Sequence, residues 1–443
     1  MTTRWTLVVL LFGCRSILVP VSAQPNIARA PLEAQSKSGE SLILEQPTGP
    51  FQVGRAGYHW IDSKRSNRFA TESQTHRELM VYVWYPASLR PGDIEGPYLP
   101  GARQMEADPA LQRRLRGEFG VHWPSIVSGA IKSHAAEGAQ PIRKPSRFPV
   151  LIFSHGNGST GFSYTSLIEE LASNGYVVAA IEHTQTAVAV HFPSGKVVPF
   201  QDQKMPAGLP PAEGLEFMMS SATIAIAEGA ADIQFVKERL AQLNASDSRQ
   251  FPLARRLDMK RVVAMGHSAG GAFATRACQL DSSLAACVNL DGGMPPVAAL
   301  PVFPDRAVMK QPLLLLEPQA TEGSMFGTVE QIRAYLGKKE EQLQSSAQGS
   351  YHVILKAPGI AHPSFSDTPI FFAGTDGYPP ISAVRHNHRL IQSFARTFLD
   401  KNLKSQKASL LDEPSSAHSE AIVQRCGLNS RQDNRRSRVQ ADR

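Results

Sequence analysis

The chain has 443 residues, of which 42% are hydrophobic and 19% are charged. A chain of this length and composition can bury a large apolar core, which excludes disordered proteins and small disulfide-stapled domains. The formal net charge of +7 is concentrated near the ends, because residues 424–443 hold six arginines against two aspartates, and Arg4 and Arg15 add two more positive charges. The body of the chain is nearly neutral and shows neither a basic stripe nor zinc-knuckle spacing, so no nucleic-acid partner is expected.

The first 23 residues have the pattern of an export signal. Arg4 precedes an apolar run at 5–12, and small residues end at Ala23. The apolar run is too short to span a bilayer. A lipoprotein signal ending at Cys14 is the less suitable alternative. We therefore expect a mature chain that begins near Gln24 and is secreted or periplasmic, with at most transient contact with a membrane surface. Residues 24–44 are predicted to be a linker.

The pattern of elements changes along the chain. Two strand-like runs at 51–62 and 77–85, the second of which alternates in hydrophobicity, predict two antiparallel edge strands. Residues 91–147, rich in glycine, proline and charge, predict a long surface excursion. From Phe148 onwards, short apolar strands alternate with helical periodicity up to a last helix at about 385–403.

Near-continuous apolar strands that alternate with helices are typical of a mostly parallel central sheet with helices on both faces. We therefore predict an α/β protein with one catalytic domain at 45–404. The polar residues 405–443 are predicted to form a disordered basic tail.

Three cysteines remain after the export signal, an odd number that argues against a disulfide framework. Cys278 falls on a predicted helix and Cys287 enters a predicted strand. Both are expected to be buried as small hydrophobic residues. A bridge between the two is the alternative.

The sequence GHSAG at 266–270 matches G-x-S-x-G. A bare match is weak, but this one lies between a predicted strand and a predicted helix, which is the context of a nucleophile elbow. Glycines are expected around Ser268 because the serine has strained backbone angles and closely packed neighbours. Ser268 is therefore the candidate nucleophile. A glycine turn with a helix-capping serine is the alternative.

A serine nucleophile needs a base, and that base needs an orienting carboxylate. Asp291 follows the next predicted strand, and His362 follows the strand that begins at Tyr351, in the chain order Ser, Asp, His that is typical of this fold class. Asp291 is therefore the candidate acid and His362 the candidate base. A loop-capping role for Asp291 and a surface role for His362 are alternatives, and His183 is a competing base.

Acyl transfer also requires backbone donors for the developing oxyanion. The Ala269 amide, directly after the nucleophile, is one candidate. The Asn157 amide, in the sequence HGNG at 155–158 that follows a predicted strand, is the other. A plain turn at the end of the strand would explain the same glycines.

Several stretches resemble the plasma-type (type II) platelet-activating factor acetylhydrolases and their bacterial relatives. They include PTGPFQVG, RELMVYVWYPA, LIFSHGNGSTGF, GHSAGGAFAT, NLDGGMPP and GIAHPSF, and the resemblance extends over about 45–404. It implies an α/β-hydrolase fold, with Ser268, Asp291 and His362 as the triad and Asn157 and Ala269 as oxyanion donors. It also implies an esterase that needs neither metal nor cofactor and removes short or oxidised sn-2 acyl groups from phospholipids.

Other functions differ from this hypothesis in the residues that they would require. A general carboxylesterase, lipase or polyester hydrolase would use the same chemistry. A non-catalytic binding protein on this scaffold would be expected to lack Ser268 or His362, and a dehalogenase or epoxide hydrolase would need a carboxylate at position 268. The small lipid ester is therefore the expected partner.

Overall fold

A computed structural model describes residues 44–67, 75–201, 206, 208–246, 251–293, 309–319, 329–413 and 419–427. The predicted export signal at 1–23 and all of the predicted linker except Leu44 lie outside the described residues. Within the described part of the chain, no helix is both long and apolar enough to cross a membrane.

The described chain folds into strands and helices that alternate through most of its length. The strands are β1 (Gln52–Ser66), β2 (His76–Ser88), β3 (Glu95–Pro97), β4 (Lys132–Glu137), β5 (Gln140–Pro141), β6 (Phe148–Ser154), β7 (Val177–Glu182), β8 (Ala189–His191), β9 (Val197–Pro199), β10 (Leu257–His267), β11 (Ala286–Leu290), β12 (Leu313–Pro318), β13 (Ser350–Leu355) and β14 (Ala421–Cys426). The helices are α1 (Ala102–Met105), α2 (Pro109–Phe119), α3 (Trp123–Ser128), α4 (Thr165–Ser173), α5 (Pro211–Ala245), α6 (Ala269–Leu280), α7 (Val329–Ser345), α8 (Thr368–Phe372), α9 (Ile381–Lys404) and α10 (Ser409–Asp412). Short 3₁₀ turns lie at Gly120–His122, Gly161–Tyr164 and His362–Phe365.

One large sheet organises the domain, with the strand order β14-β13-β12-β11-β10-β6-β7-β2-β1-β4-β3, and β5 pairs with β2. The six strands from β13 to β7 run parallel, whereas β14 and β2 pair antiparallel at either side of them. Parallel strands place their carboxyl ends at one edge of the sheet, where α/β proteins build their sites. The prediction of a mostly parallel central sheet is confirmed.

Helices cover both faces of this sheet, because successive side chains of a strand point to opposite sides. Val263 and Met265 of β10 pack in an apolar cluster with α4 and α9. Val262 and Ala264 of the same strand pack in a second cluster with α5 and α6. Apolar residues on consecutive positions therefore reflect burial on both faces.

Two predictions about the first half of the chain are wrong. The strands at 52–66 and 76–88 are antiparallel, as expected, but they are interior strands, because β2 lies between β7 and β1, and β1 also pairs with β4. The segment 91–147 is not a surface excursion. It contains three helices whose apolar sides join the core, with Leu115, Phe119 and Trp123 completely buried.

The predictions about the cysteines agree with the structure. Cys278, Cys287 and Cys426 are all buried and all free. Cys278 and Cys287 lie on α6 and β11, which pack against each other. The alternative of a bridge between them is therefore not observed.

The prediction of a disordered tail from residue 405 is wrong for the described residues beyond that position. Residues 421–426 form β14, which pairs antiparallel with β13 from Cys426 opposite Ser350 to Ala421 opposite Leu355. Leu411 of α10 is also completely buried. The average polarity of the segment concealed a short strand that covers the free edge of β13. The folded domain thus extends beyond the predicted boundary at 404 to at least residue 427, and 428–443 lie outside the described residues.

Truncation of the chain after residue 408 is expected to lower the melting temperature by several degrees. This truncation removes β14 and exposes the edge of β13, and each large apolar side chain that loses its burial contributes about 1.5–3 kcal/mol. A truncation after Gly427 is the matched control and should melt within about one degree of the full chain, because it spares every described contact of the tail. Equal melting temperatures for the 408 truncation and the full chain would contradict the role of β14.

Candidate active site

Ser268 occupies a sharp turn between β10 and α6. Its φ of 57° and ψ of −122° lie in a region of backbone angles that residues other than glycine rarely adopt. The turn is possible because residue 270 is a glycine. A Cβ at this position would lie 2.1 Å from the carbonyl oxygen of Ser154 on the neighbouring strand. Only glycine permits that approach. The geometry is that of the predicted nucleophile elbow, and it presents the Ser268 hydroxyl at the carboxyl edge of the sheet.

The structure brings the three candidate triad residues into one hydrogen-bonded series. The Ser268 hydroxyl lies 3.1 Å from His362 Nε2, and His362 Nδ1 lies 2.6 Å from Asp291 Oδ2. Since a carboxylate accepts hydrogen bonds, Nδ1 carries the proton and Nε2 is free to accept from the serine. Ser268, Asp291 and His362 follow the ends of β10, β11 and β13, which explains how residues far apart in the chain meet.

The site is only partly shielded from water. The side chains of His362 and Asp291 are 37% and 20% exposed, so a substrate can reach the pair. Burial raises the pKa of Asp291, and the hydrogen bond from His362 acts in the opposite direction. The Asp291 N–H donates to Leu316 O, and the adjacent Gly292 N–H donates to the Asn289 side chain, so backbone hydrogen bonds fix the turn that carries the carboxylate.

The loop after β6 lies directly beside the nucleophile. A Cβ at Gly156 would lie 3.3 Å from the Cβ of Ser268, so this backbone approaches the Ser268 side chain closely. Neither Asn157 N–H nor Ala269 N–H donates a hydrogen bond to a described residue. Both amides are therefore available for an oxyanion, although their role stays a prediction.

His183, the competing base, lies elsewhere. Its side chain is 1% exposed, and its Nε2 lies 3.0 Å from Ser154 Oγ rather than near Ser268. Its Nδ1 lies 2.9 Å from Asp232. The structure therefore brings His362, and not His183, to the nucleophile.

Two residues that the sequence analysis did not select support the site. The His267 ring packs between His362, with ring centroids 4.5 Å apart, and Phe365, on which it stacks. The Tyr164 hydroxyl accepts a hydrogen bond from Gly156 N–H at 3.0 Å and is hydrogen-bonded to His267 Nδ1 at 2.8 Å. Tyr164 thus connects the loop at 155–158, the predicted oxyanion loop, to the ring that packs on His362. Only the position of His267 within GHSAG hinted at this role.

Two carboxyl groups, one half-buried and one buried, fix the segment that follows the oxyanion loop. Glu118 of α2 accepts hydrogen bonds from the hydroxyls of Ser159 and Ser163, at 2.8 and 2.7 Å. Glu182 at the end of β7 accepts from Thr160 Oγ1 and from a backbone N–H, at 2.9 and 2.8 Å. Burial raises the pKa of both, that of Glu182 to about 7. The helical segment at 91–147 therefore contributes directly to the surroundings of the site.

One group of described side chains could hold a metal ion. His267, Asp291 and His362 each offer a ligand atom, and these atoms lie within 4.8 Å of one another. Two of the three belong to the serine–histidine–aspartate series. A metal bound there would compete with the hydrogen bond between Asp291 and His362, so this group does not form a site separate from the triad.

Comparisons with known proteins agree with this geometry. The family described as platelet-activating factor acetylhydrolase, isoform II, matches residues 36–205 and 230–377. The chain is 25% identical over 267 residues to a probable 1-alkyl-2-acetylglycerophosphocholine esterase of Arthroderma benhamiae, covering 57% of this chain and 60% of that protein. It is 23% identical over 248 residues to a platelet-activating factor acetylhydrolase of Cavia porcellus, covering 51% of this chain and 52% of that protein. The chain thus matches between half and three fifths of the length of these relatives.

A solved structure is similar over most of the chain. The ferulic acid esterase from Streptomyces cinnamoneus superposes with a TM-score of 0.62 and 26% sequence identity, covering 86% of this chain and 99% of that one. Together with the sheet order and the elbow, this similarity confirms the predicted α/β-hydrolase fold.

Proposed function

Because the chain belongs to the platelet-activating factor acetylhydrolase isoform II family, we propose that it is a serine ester hydrolase that removes short or oxidised sn-2 acyl groups from phospholipids. The observation that supports this most directly is the series Ser268–His362–Asp291, with hydrogen-bond distances of 3.1 and 2.6 Å at the carboxyl edge of the sheet. No other described serine combines such a series with the backbone angles of an elbow.

The proposed reaction proceeds through an acyl-enzyme. Ser268 Oγ attacks the ester carbonyl carbon as its proton passes to His362 Nε2. The carbonyl oxygen becomes negative and receives hydrogen bonds from the amides of Ala269 and Asn157. The bond to the glycerol oxygen then breaks, and His362 returns the proton to that leaving oxygen. Water then attacks the carbonyl carbon of the acyl group as it passes a proton to His362 Nε2. The bond to Ser268 Oγ breaks, His362 returns the proton to that oxygen, and the free acid is released.

Asp291 supports both halves of this reaction. It keeps the proton of His362 on Nδ1, so that Nε2 faces the serine, and it stabilises the imidazolium that forms in each transition state. Each step uses side chains and backbone amides of this chain, together with the ester and water.

We expect kcat/KM to fall as the acyl chain of soluble p-nitrophenyl esters lengthens from two to twelve carbons. The family resemblance favours acetyl. A site that housed long chains would instead gain about 0.8 kcal/mol, or roughly fourfold, for each buried methylene. No long helix that could form an apolar lid occurs in the segment 91–147, where the longest helix has 11 residues, so the rate should not jump at the micelle threshold. A maximum at eight carbons or more would contradict the short-acyl proposal.

A general carboxylesterase is the second candidate, favoured by the similarity to the ferulic acid esterase over 86% of the chain. The two candidates differ in the leaving alcohol and the acid that they accept. A phosphatidylcholine with an sn-2 acetyl group should be hydrolysed faster than methyl ferulate under the first proposal. The reverse order would favour the second.

The same proposal places the enzyme outside the cytoplasm, in the periplasm or secreted, on the basis of the export pattern at 1–23. The product exported by cells that express the full chain should begin at or near Gln24. Mass spectrometry of its amino-terminal peptide tests this, and an exported chain that retains Met1 would contradict it.

A further inference from the structure

A second hydrogen-bonded Ser–His–Asp series lies beneath the site. Ser154 at the end of β6 lies 3.0 Å from His183 Nε2, and His183 Nδ1 lies 2.9 Å from Asp232 of α5. The connections are the same as in the catalytic series, because the carboxylate accepts from Nδ1 and the hydroxyl donates to Nε2. The Asp232 carboxylate also receives hydrogen bonds from Arg77, at 2.6 and 3.1 Å, and from Arg65, at 2.7 Å.

This second series is not a second active site. Ser154, His183 and Asp232 each have an exposure of 0%, so no ester can reach the hydroxyl. Burial alone would raise the pKa of Asp232, but Arg77 and the hydrogen bond from His183 hold it far below its usual range. The carboxylate is thus a permanent anchor for His183. The function of the series has to lie in what His183 holds in place.

His183 holds the first residue of the oxyanion loop. Its backbone N–H donates to His155 Nε2 at 3.2 Å, and His155 Nδ1 lies 2.7 Å from the carbonyl oxygen of Gly156. A carbonyl can only accept, so His155 carries its proton on Nδ1 and leaves Nε2 free for the His183 N–H. Burial and the nearby His183 lower the pKa of His155 to about 3. The ring is therefore neutral and has one fixed tautomer at working pH.

The hydrogen bond to Gly156 O has a consequence for the next amide. A trans peptide unit is planar, and its C=O and N–H point in opposite directions. The Gly156–Asn157 bond is trans, since the cis bond found in the described chain is Lys144–Pro145. When His155 draws the Gly156 oxygen to its own side, the Asn157 N–H must point to the opposite side. The Ser159 N–H also donates to Gly156 O, at 3.1 Å, and reinforces this orientation.

We infer that His155 is a positioning residue of the oxyanion hole, which orients the Asn157 amide through the Gly156 carbonyl and is itself held by His183. The ring touches neither substrate nor Ser268 in this role. The inference rests on the proposed ester hydrolysis, because it assigns the Asn157 N–H to the developing oxyanion.

A matched pair of variants tests this role. His155→Asn can place an N–H near the position of Nδ1, whereas His155→Leu has almost the same shape and no donor. Both lose the acceptor for the His183 N–H, so their structural cost should be similar. With p-nitrophenyl acetate, we expect His155→Leu to lose about 10²-fold in kcat with KM changed by less than about threefold, which approaches the cost of one oxyanion donor. His155→Asn should regain at least about tenfold of that loss.

The affinity for a trifluoromethyl ketone distinguishes a positioning role of His155 from a merely structural one. Addition of Ser268 to this ketone places an oxyanion in the hole, so its affinity should fall in His155→Leu by the same factor as kcat. The same two substitutions at His134, a mostly buried histidine on β4 that lies 3.6 Å from Glu169, are the control and should leave kcat and ketone affinity unchanged. Equal kcat values for His155→Asn and His155→Leu, or unchanged ketone affinity, would overturn the inference.

A measurement on the unaltered chain covers the case in which a variant fails to fold. In uniformly ¹³C- and ¹⁵N-labelled protein, the His155 ring signals, identified by sequential assignment, should show protonation at Nδ1 alone from pH 5 to pH 8. Protonation at Nε2 would overturn the inference. Wild-type protein that hydrolyses no ester would instead refute the proposed function, so the two failures are distinguishable.

Discussion

Ser268→Ala is expected to lose at least about 10⁴-fold of the esterase activity, because no other nucleophile lies within hydrogen-bond reach of His362 in the described structure. Alanine retains the Cβ at this strained position, with its φ of 57°, so the backbone of the elbow is not altered. The melting temperature should therefore change little. The measurement is kcat/KM for p-nitrophenyl acetate beside thermal unfolding.

Ser128→Ala is the control for that experiment. Ser128 ends α3, and its exposed hydroxyl donates a hydrogen bond to the carbonyl oxygen of Ser125, within the same helix. Loss of the Ser128 hydroxyl should leave kcat/KM within about twofold of wild type. Activity that survives Ser268→Ala would show that another residue is the nucleophile.

Asp291→Asn should have the second-largest effect, a loss of kcat on the order of 10⁴-fold, as for the same change in a serine protease. An asparagine amide can donate to His362 Nδ1, which favours the tautomer with its proton on Nε2 and leaves no acceptor for Ser268. The φ of Asp291 is 48°, and asparagine tolerates this conformation as well as aspartate does. The substitution therefore tests tautomer control without a backbone change.

Asp258→Asn is the matched control, since Asp258 is a strand aspartate that pairs with Arg261 at 2.7 Å, outside the site. It should retain nearly full activity. A loss in Asp291→Asn of less than about tenfold would contradict the assignment of Asp291 as the residue that orients His362.

The triad residues could be placed from the sequence because each follows a short apolar strand, and parallel strands end at one edge of a sheet. Ser268 had the additional signal of G-x-S-x-G between a strand and a helix. The same reasoning selected the loop at 155–158, whose Gly156 lies beside Ser268. Local sequence patterns were sufficient to place these residues because they lie in the part of the fold where strands and helices alternate regularly.

Other features depended on contacts between distant segments, which local patterns do not contain. The strand at 52–66 was expected at the edge of the sheet, but pairing with β4 makes it internal. Glu118 supports the site only because α2 packs beside the loop at 159–163. Residues 421–426 form a strand because β13 offers a free edge, and six residues in a polar tail are too few to reveal that.

The most direct test of Ser268 as the nucleophile is to locate the acyl group during turnover. p-Nitrophenyl acetate should be mixed with the enzyme, quenched in acid within the first turnovers, and the protein digested for peptide mass spectrometry. A serine acyl-enzyme mechanism predicts at most one acetyl group per chain, on Ser268, and none after the same treatment of Ser268→Ala. Ester hydrolysis with the acetyl group on a different side chain, or with an adduct that persists in Ser268→Ala, would contradict it.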